Sequence, residues 1–240
     1  MTEPEKLPLL YKDMTPLNAE SHGGYGVTGA RSFAFAADLG YAPLTMEEFG
    51  TAQRFYPIVF TREAPATPVA LFSAKRDANA FVGEDGAWRD GAYVPAYLRR
   101  YPFMFVKRSA EANDRVLCAD MTSSLLEDGV EDENRLLFKD GAAGPAGEKA
   151  LELCKAHELA TERTKRAVAV LEEHDLFQDS AIEVQSEGRK SRVDGFRIIS
   201  EQKLRELDNE AVLNLVRKGA IGPIYAHLFS LSNFASLGRP

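Results

Sequence analysis

The chain has 240 residues, of which 45% are hydrophobic and 27% are charged, and its formal net charge is -7 at pH 7. This mixture is typical of a folded globular protein that is long enough to bury a sizeable core. The negative charge argues against general binding of nucleic acid or anionic membranes, since like charges repel.

The first residues of the chain carry acids and prolines where a secretory signal would need a basic start and an apolar core. No apolar run approaches the roughly 20 residues that cross a bilayer. The two cysteines, Cys118 and Cys154, fit neither a disulfide framework nor a zinc motif. We therefore expect a cytoplasmic protein without an integral membrane segment, with export by a dedicated route left open.

The N-terminal part is predicted to be an extended lead-in over residues 1–24, because prolines interrupt it. Residues 25–240 are predicted to form a single domain, with a subdivision near residues 141–147 as the alternative. Residues 24–29 match Gly-x-Gly-x-x-Gly, but no buried strand precedes them, so we interpret them as a glycine-rich strand or turn.

A helix over residues 46–55 is predicted from the capping box of Thr45 and Glu48. It should end at Tyr56-Pro57, because proline fixes its own φ and pushes the preceding residue out of the α region. The same dipeptide recurs at Tyr101-Pro102, and three apolar residues follow each copy. Each copy therefore predicts a helix end followed by a strand, and we expect both strands to lie in one sheet.

The remaining elements are predicted from apolar spacing and caps. Short strands should fill most of residues 57–138, and a long helix should cover residues 146–175. A hairpin near residues 182–199 should precede two helices capped by Ser200 and Asp208 and a last helix that starts at Pro223. Together these elements predict an α+β fold, with a mainly antiparallel sheet, helical inserts and a helical C-terminal part.

Standard catalytic motifs are missing from the sequence, and no two histidines have metal-ligand spacing, so we predict no metal and no cofactor. Two histidines are candidate site residues. His227 shares a helix with Ser230 and Asn233 in a polar strip, for which helix-to-helix hydrogen bonding is the structural alternative. His22 stands beside paired glycines.

One segment is basic, although the chain as a whole is acidic. Residues 97–108 hold four cations and no acid, interleaved with aromatic residues. This composition could bind a phosphate, a carboxylate or a stacked base, although Lys and Arg also commonly form a solvated rim. The candidate binding residues here are Tyr97, Arg99, Arg100 and Tyr101.

Several stretches in combination resemble the SapC family of bacterial proteins, over about residues 20 to 237. The stretches are residues 41–44, 48–49, 56–60, 93–103, 219–220, 225–228 and 230–231. The family takes its name from an association with a bacterial surface layer. Its members are often encoded near outer-membrane receptors and flavin-dependent halogenases, which implies an auxiliary metabolic role. The resemblance supplies no catalytic residues.

We therefore expect a non-enzymatic binding or accessory protein that recognises a protein partner or a small anionic or aromatic ligand through residues 97–108. An enzyme of unrecognised type is one alternative, with His227 or His22 as acid or base and Arg99 or Arg100 holding an anion. A structural protein of the surface layer is another. Each of these functions is compatible with a homo-oligomer.

Overall fold

The strands of the protein form two main antiparallel sheets in a computed structural model that describes residues 7–29, 32–107, 115–186 and 189–237. The larger sheet has the strand order β11 (Phe177–Ser186), β12 (Arg189–Ile199), β4 (Ile58–Thr61), β5 (Pro68–Leu71) and β3 (Tyr41–Pro43). The smaller sheet has the order β1 (Met14–Pro16), β7 (Arg115–Asp120) and β6 (Phe103–Lys107). Two further strand pairs join β2 (Gly26–Val27) to β8 (Leu126–Glu127) and β9 (Phe138–Lys139) to β10 (Ala142–Ala143).

Seven α-helices accompany these strands in the described ranges, and three of them follow one another near the C-terminus. They are α1 (Ala19–His22), α2 (Phe49–Ala52), α3 (Ala96–Arg99), α4 (Pro145–Glu173), α5 (Glu201–Arg205), α6 (Asn209–Arg217) and α7 (Ile221–Ser230). The predicted α+β class, with antiparallel pairing and a helical C-terminal part, is confirmed. No helix among the described residues combines the length and apolar character needed to cross a membrane.

Local signals in the sequence correctly predicted where several helices begin or end. The capping box of Thr45 and Glu48 is present, and α2 ends before Tyr56-Pro57. Ser200 and Asp208 cap α5 and α6 by accepting hydrogen bonds from backbone N–H groups. Within the predicted lead-in, the structure places the strand β1 and the short helix α1.

The prediction that both Tyr-Pro strands share one sheet is wrong. β4 pairs with β5 in the five-stranded sheet, whereas β6 pairs with β7 in the three-stranded sheet. Each strand pairs with the strand that follows it along the chain, so the Tyr-Pro junction itself does not choose the sheet. The outer partners, β12 for β4 and β1 for β7, come from distant parts of the sequence.

The long helix α4 packs against both parts of the fold. Val168 and Leu171, near its C-terminal end, belong to the main core with β4, β5 and α7. Ala146, Ala150 and Cys154, near its N-terminal end, belong to a separate core with the smaller sheet. The start of α4 is therefore held beside β6 and the second Tyr-Pro junction.

Close packing at the start of α4 predicts a steric effect at Gly147. A Cβ added there would clash with the carbonyl oxygen of Leu137, and its nearest neighbours are all backbone atoms of Leu137. We expect Gly147→Ala to lower the free energy of unfolding by about 1–3 kcal/mol, as overpacking usually does. Urea denaturation measures this loss.

Gly50 in α2 is the matched control, because a Cβ there meets nothing within 4 Å. We expect Gly50→Ala to be neutral or to raise stability by up to about 1 kcal/mol, since alanine favours helix over glycine. Equal stability of the Gly147→Ala variant and the wild type would contradict the close contact.

Candidate functional site

A cleft of about 440 Å³ opens between the second Tyr-Pro junction, the segment after β2 and the first turns of α4. Its volume lies in the range usual for small-molecule sites. The walls are mainly carbon, contributed by Phe33, Phe35, Leu98, Phe103, Leu125 and Leu153. Such a cleft can bury the apolar body of a small molecule.

Two cations, Arg99 of α3 and Lys149 of α4, line this apolar cleft. Both side chains are exposed, and neither forms an ion pair with a carboxylate of the described residues. Unpaired cations beside apolar walls are suited to hold an anionic group.

The guanidinium of Arg99 is held by the residues just before α3. Its Nε donates to the carbonyl oxygen of Val94 at 3.1 Å, and its Nη2 donates to the hydroxyl of Tyr93 at 3.1 Å. The guanidinium carbon also lies 5.7 Å from the centroid of the Tyr93 ring. Arg99 is therefore fixed at the rim of the cleft.

Tyr101 lines the cleft as part of a stack of aromatic rings. Its ring stacks on Phe35 with centroids 4.4 Å apart, and Tyr11 contacts it edge-on at 5.3 Å. Burial raises the pKa of Tyr101, and the nearby charge of Asp120 adds to this rise while a hydrogen bond with Ser123 opposes it. The phenol is therefore neutral near pH 7 and offers a flat apolar face.

Arg100 and Tyr97 point away from the cleft, although they neighbour the residues that line it. Arg100 is only 8% exposed, and its guanidinium carbon lies 4.9 Å from the Tyr97 ring and 5.4 Å from the Tyr11 ring. Its Nη1 donates to the carbonyl oxygen of Phe103 at 3.3 Å, while its Nε has no partner among the described residues. Tyr97 is buried, and its hydroxyl donates to the carbonyl oxygen of Leu9.

His227 lies in the core between two strands of the larger sheet. Its Nδ1 donates to the carbonyl oxygen of Ile58 at 2.8 Å, and its Nε2 accepts from the N–H of Ile199 at 3.0 Å. The residue is 0% exposed, and burial lowers its pKa to about 4 although the hydrogen bond to Ile58 opposes that shift. His227 thus bridges β4 and β12 as a neutral imidazole.

The rest of the predicted polar strip, Ser230 at the end of α7 and Asn233 in the 3-10 helix that follows it, binds the same region. Ser230 Oγ accepts from the N–H of Ile58 at 2.9 Å, and Asn233 Nδ2 donates to the carbonyl oxygens of Gln53 and Tyr56 at 2.7 and 3.2 Å. The structural alternative predicted helix-to-helix hydrogen bonds for this strip. Ser230 instead binds the backbone of β4, and His227 binds the backbone of both β4 and β12. Asn233 binds the backbone just after α2.

His22 lies near the end of α1 and is also mostly buried. Its Nδ1 accepts from the N–H of Asn18 at 3.2 Å, and its ring contacts Tyr25 edge-on at 5.7 Å. Neither His22 nor His227 lines the cleft. Of the six predicted site residues, the structure brings Arg99 and Tyr101 together there and places the other four elsewhere. Arg108, at the end of the predicted basic segment, lies outside the described residues.

Several residues of the cleft were missed by sequence reasoning. Lys149 is one of several exposed cations on α4, and nothing in its spacing marks it. Glu48, which lies outside the cleft, was identified as a capping residue, but no local pattern indicates that its Oε1 also accepts from the Tyr93 hydroxyl. Both roles depend on contacts between segments that are distant in the chain.

In the described part of the chain, no three His, Cys, Asp or Glu side chains come together in an arrangement that could hold a metal ion. A family model described as SapC matches residues 17–237, which include every residue that lines the cleft. Neither a curated protein nor a solved structure matches the chain significantly.

Proposed function

The chain belongs to the SapC family, and we propose that it is a non-enzymatic binding or accessory protein that holds a small hydrophobic anion in the cleft beside Arg99. The observation that carries this proposal is that Arg99 and Lys149, which have no carboxylate partner among the described residues, line one concavity with apolar walls. The chain as a whole is acidic, so two cations that line one cleft run against its average charge.

A small ligand is favoured over a protein partner by the shape of the predicted binding segment. Within the described part of residues 97–108, Tyr97 and Arg100 are buried and cannot reach a flat partner surface. Arg99 and Tyr101 instead face a concavity. A concave, mostly apolar site with a few fixed polar groups is typical of small-molecule binding.

The geometry does not support the alternative enzyme in which a histidine acts as acid or base in this cleft. Both ring nitrogens of His227 are used by backbone groups of the core, and His22 does not line the cleft. A general acid or base must reach the substrate within hydrogen-bond distance.

Two further features belong to this proposal. We propose that residues 25–240 act as one domain, because α4, which follows the connection at residues 141–147, packs against both sheets. We also propose that the chain is a bacterial protein and that it works in the cytoplasm.

The test uses the fluorescent anion 8-anilinonaphthalene-1-sulfonate, which joins aromatic rings to one negative group. We expect saturable binding by the wild type, with affinity at least about tenfold lower in the double variant Arg99→Gln/Lys149→Gln, since each lost charge-assisted contact contributes on the order of 1 kcal/mol. Fluorescence titration measures the affinity.

Lys155→Gln is the matched control for the charge change on α4. Lys155 is exposed on the same helix but does not line the cleft, so its replacement should leave the affinity unchanged. Equal affinity of the wild type and the double variant would remove the cleft as the binding site.

A further inference from the structure

We infer that the anionic group taken by this cleft is a planar carboxylate, bound end-on by Arg99, and that Tyr93 and Glu48 are the positioning residues that set the guanidinium for it. This inference rests on the proposed function and deepens it by naming the class of ligand, a hydrophobic carboxylic acid.

The first step is the donor inventory of Arg99. A guanidinium carries one N–H on Nε and two on each Nη. Nε and Nη2 already donate to Val94 and Tyr93, whereas Nη1 has no partner among the described residues. The side edge of the fork is therefore occupied, and the end formed by Nη1 and Nη2 is left for a ligand. That end matches two oxygens of one planar group.

The second step is the support behind Arg99. Glu48 is only 7% exposed, and its Oε1 accepts from the Tyr93 hydroxyl at 2.9 Å and from the N–H of Ala96 at 2.7 Å. Its Oε2 accepts from the N–H and the hydroxyl of Thr45 at 2.8 and 2.9 Å. Each oxygen of the carboxylate thus accepts two hydrogen bonds, which set its orientation.

The Tyr93 hydroxyl relays this fixed geometry to the cleft. It donates to Glu48 and accepts from Arg99, so its position is set on both sides. Burial, with the added charge of Glu48, raises the pKa of Tyr93 to about 12, and the hydroxyl keeps its proton at neutral pH. A cation that is already ordered loses less conformational entropy when its ligand binds.

The third step separates a carboxylate from a phosphate. Arg99 and Lys149 are exposed cations at the rim, where water weakens their attraction for an anion. The walls inside the rim are mainly carbon. A phosphate dianion has more charge and more oxygens to desolvate against these walls than a carboxylate has, so the carboxylate is the better fit.

The test compares three probes that share one ring system: 2-naphthoate, 2-naphthyl phosphate and 2-naphthamide. Isothermal titration calorimetry on the wild type should show naphthoate binding about tenfold tighter than either of the others. If 2-naphthyl phosphate bound as tightly as 2-naphthoate, or more tightly, the carboxylate inference would be overturned, but the proposed function would still stand. If neither these probes nor the anilinonaphthalene sulfonate bound, both would be overturned.

The positioning role is tested with Tyr93→Phe, which keeps the ring and removes only the hydroxyl. We expect the affinity for naphthoate to fall about five- to tenfold while the affinity for naphthamide stays unchanged. The ratio of the two affinities should therefore fall by the same factor. Tyr225→Phe, on an exposed tyrosine outside the cleft, is the matched control and should change neither affinity.

If Tyr93 had a purely structural role, Tyr93→Phe would weaken the binding of naphthoate and naphthamide equally. That result, or an unchanged ratio of the two affinities, would overturn the positioning role. Arg99→Lys gives an independent check, because lysine keeps the charge but has no planar fork. It should lose most of the preference for naphthoate over the phosphate probe. Retention of that preference would exclude end-on recognition by Arg99.

Discussion

Replacing His227 with phenylalanine should lower the free energy of unfolding by about 2–5 kcal/mol, because it leaves two buried backbone groups without partners. Phenylalanine keeps a ring in the core but can neither donate to the carbonyl oxygen of Ile58 nor accept from the N–H of Ile199. Urea denaturation near pH 7.5 measures the change.

His174 provides the control for this substitution. It is half-buried, and its Nε2 lies 3.3 Å from the side-chain amide of Asn214, so its ring holds no backbone group of the described residues. His174→Phe should cost less than about 1 kcal/mol. A similar small cost for His227→Phe would contradict the bridge between β4 and β12.

The bridge also predicts how stability depends on pH. Burial lowers the pKa of His227 to about 4 in the folded protein, whereas an unfolded histidine titrates near 6.5. The stabilisation is therefore complete above pH 6.5 and is lost as the pH falls toward 4. Between pH 6.5 and 5 the wild type should lose about 2 kcal/mol through this group, and His227→Phe should lack that part of the loss.

His157 also contributes to the loss of stability at acid pH, both in the wild type and in His227→Phe, because burial and the charges of Arg100 and Arg99 lower its pKa to about 3. The measurement is therefore the difference between the two stability curves, which cancels this shared contribution. Parallel curves over pH 6.5 to 5 would mean that His227 titrates normally.

Removing the carboxylate of Asp120 should lower the free energy of unfolding by about 2–4 kcal/mol, since several donors lose a charged acceptor at once. Asp120 is fully buried at the end of β7, where its oxygens accept from the N–H groups of Lys12 at 2.8 Å and Asp13 at 3.3 Å. It also accepts from the N–H and hydroxyl of Thr122 at 3.0 and 2.7 Å. We expect Asp120→Ala to loosen the segment around Lys12 and Asp13 first.

Hydrogen exchange gives the local readout for this variant, because the amides of Lys12 and Asp13 should lose protection before the amides of β4. Asp128→Ala is the control, since Asp128 is exposed and its carboxylate accepts from the adjacent N–H of Gly129. Unchanged protection at Lys12 in Asp120→Ala would contradict the anchoring role.

Asp120 responds to acid differently from the histidines. Burial by itself raises the pKa of a carboxylate, but the hydrogen bonds from Thr122, Lys12 and Asp13 outweigh it, so the pKa is lowered. Its stabilisation is present above the ordinary carboxyl pKa of about 3.9 and is lost as the pH falls below that. The pH range in which the contribution of His227 is lost therefore lies above the range in which the contribution of Asp120 is lost.

Elements fixed by neighbouring residues were predictable from the sequence. The capping box of Thr45 and Glu48, the caps at Ser200 and Asp208 and the long helix α4 all follow from signals within a few turns of the chain. The grouping of strands into sheets was not, because β4 and β6 have similar local sequences, whereas the sheets are completed by distant strands: β12 pairs with β4, and β1 pairs with β7, the neighbour of β6.

In the candidate site, too, some residues could be identified from their neighbours in the sequence and others could not. Arg99 and Tyr101 were identified from composition, because cations between aromatic residues are locally visible. Arg100 has the same local setting, yet it points into the core. Lys149 carries no local mark, and it reaches the cleft only because α4 begins beside β6. Tertiary packing therefore decides which of two neighbouring arginines faces the cleft.

The placement of α4 couples the cleft to the stability of the whole molecule. One end of this 29-residue helix lines the cleft and packs on the smaller sheet, while the other end completes the main core. Unfolding of α4 would remove a packing partner from both sheets, so we expect unfolding to be cooperative across both. A ligand bound only by the folded state would then raise the melting temperature of the entire chain, by mass action.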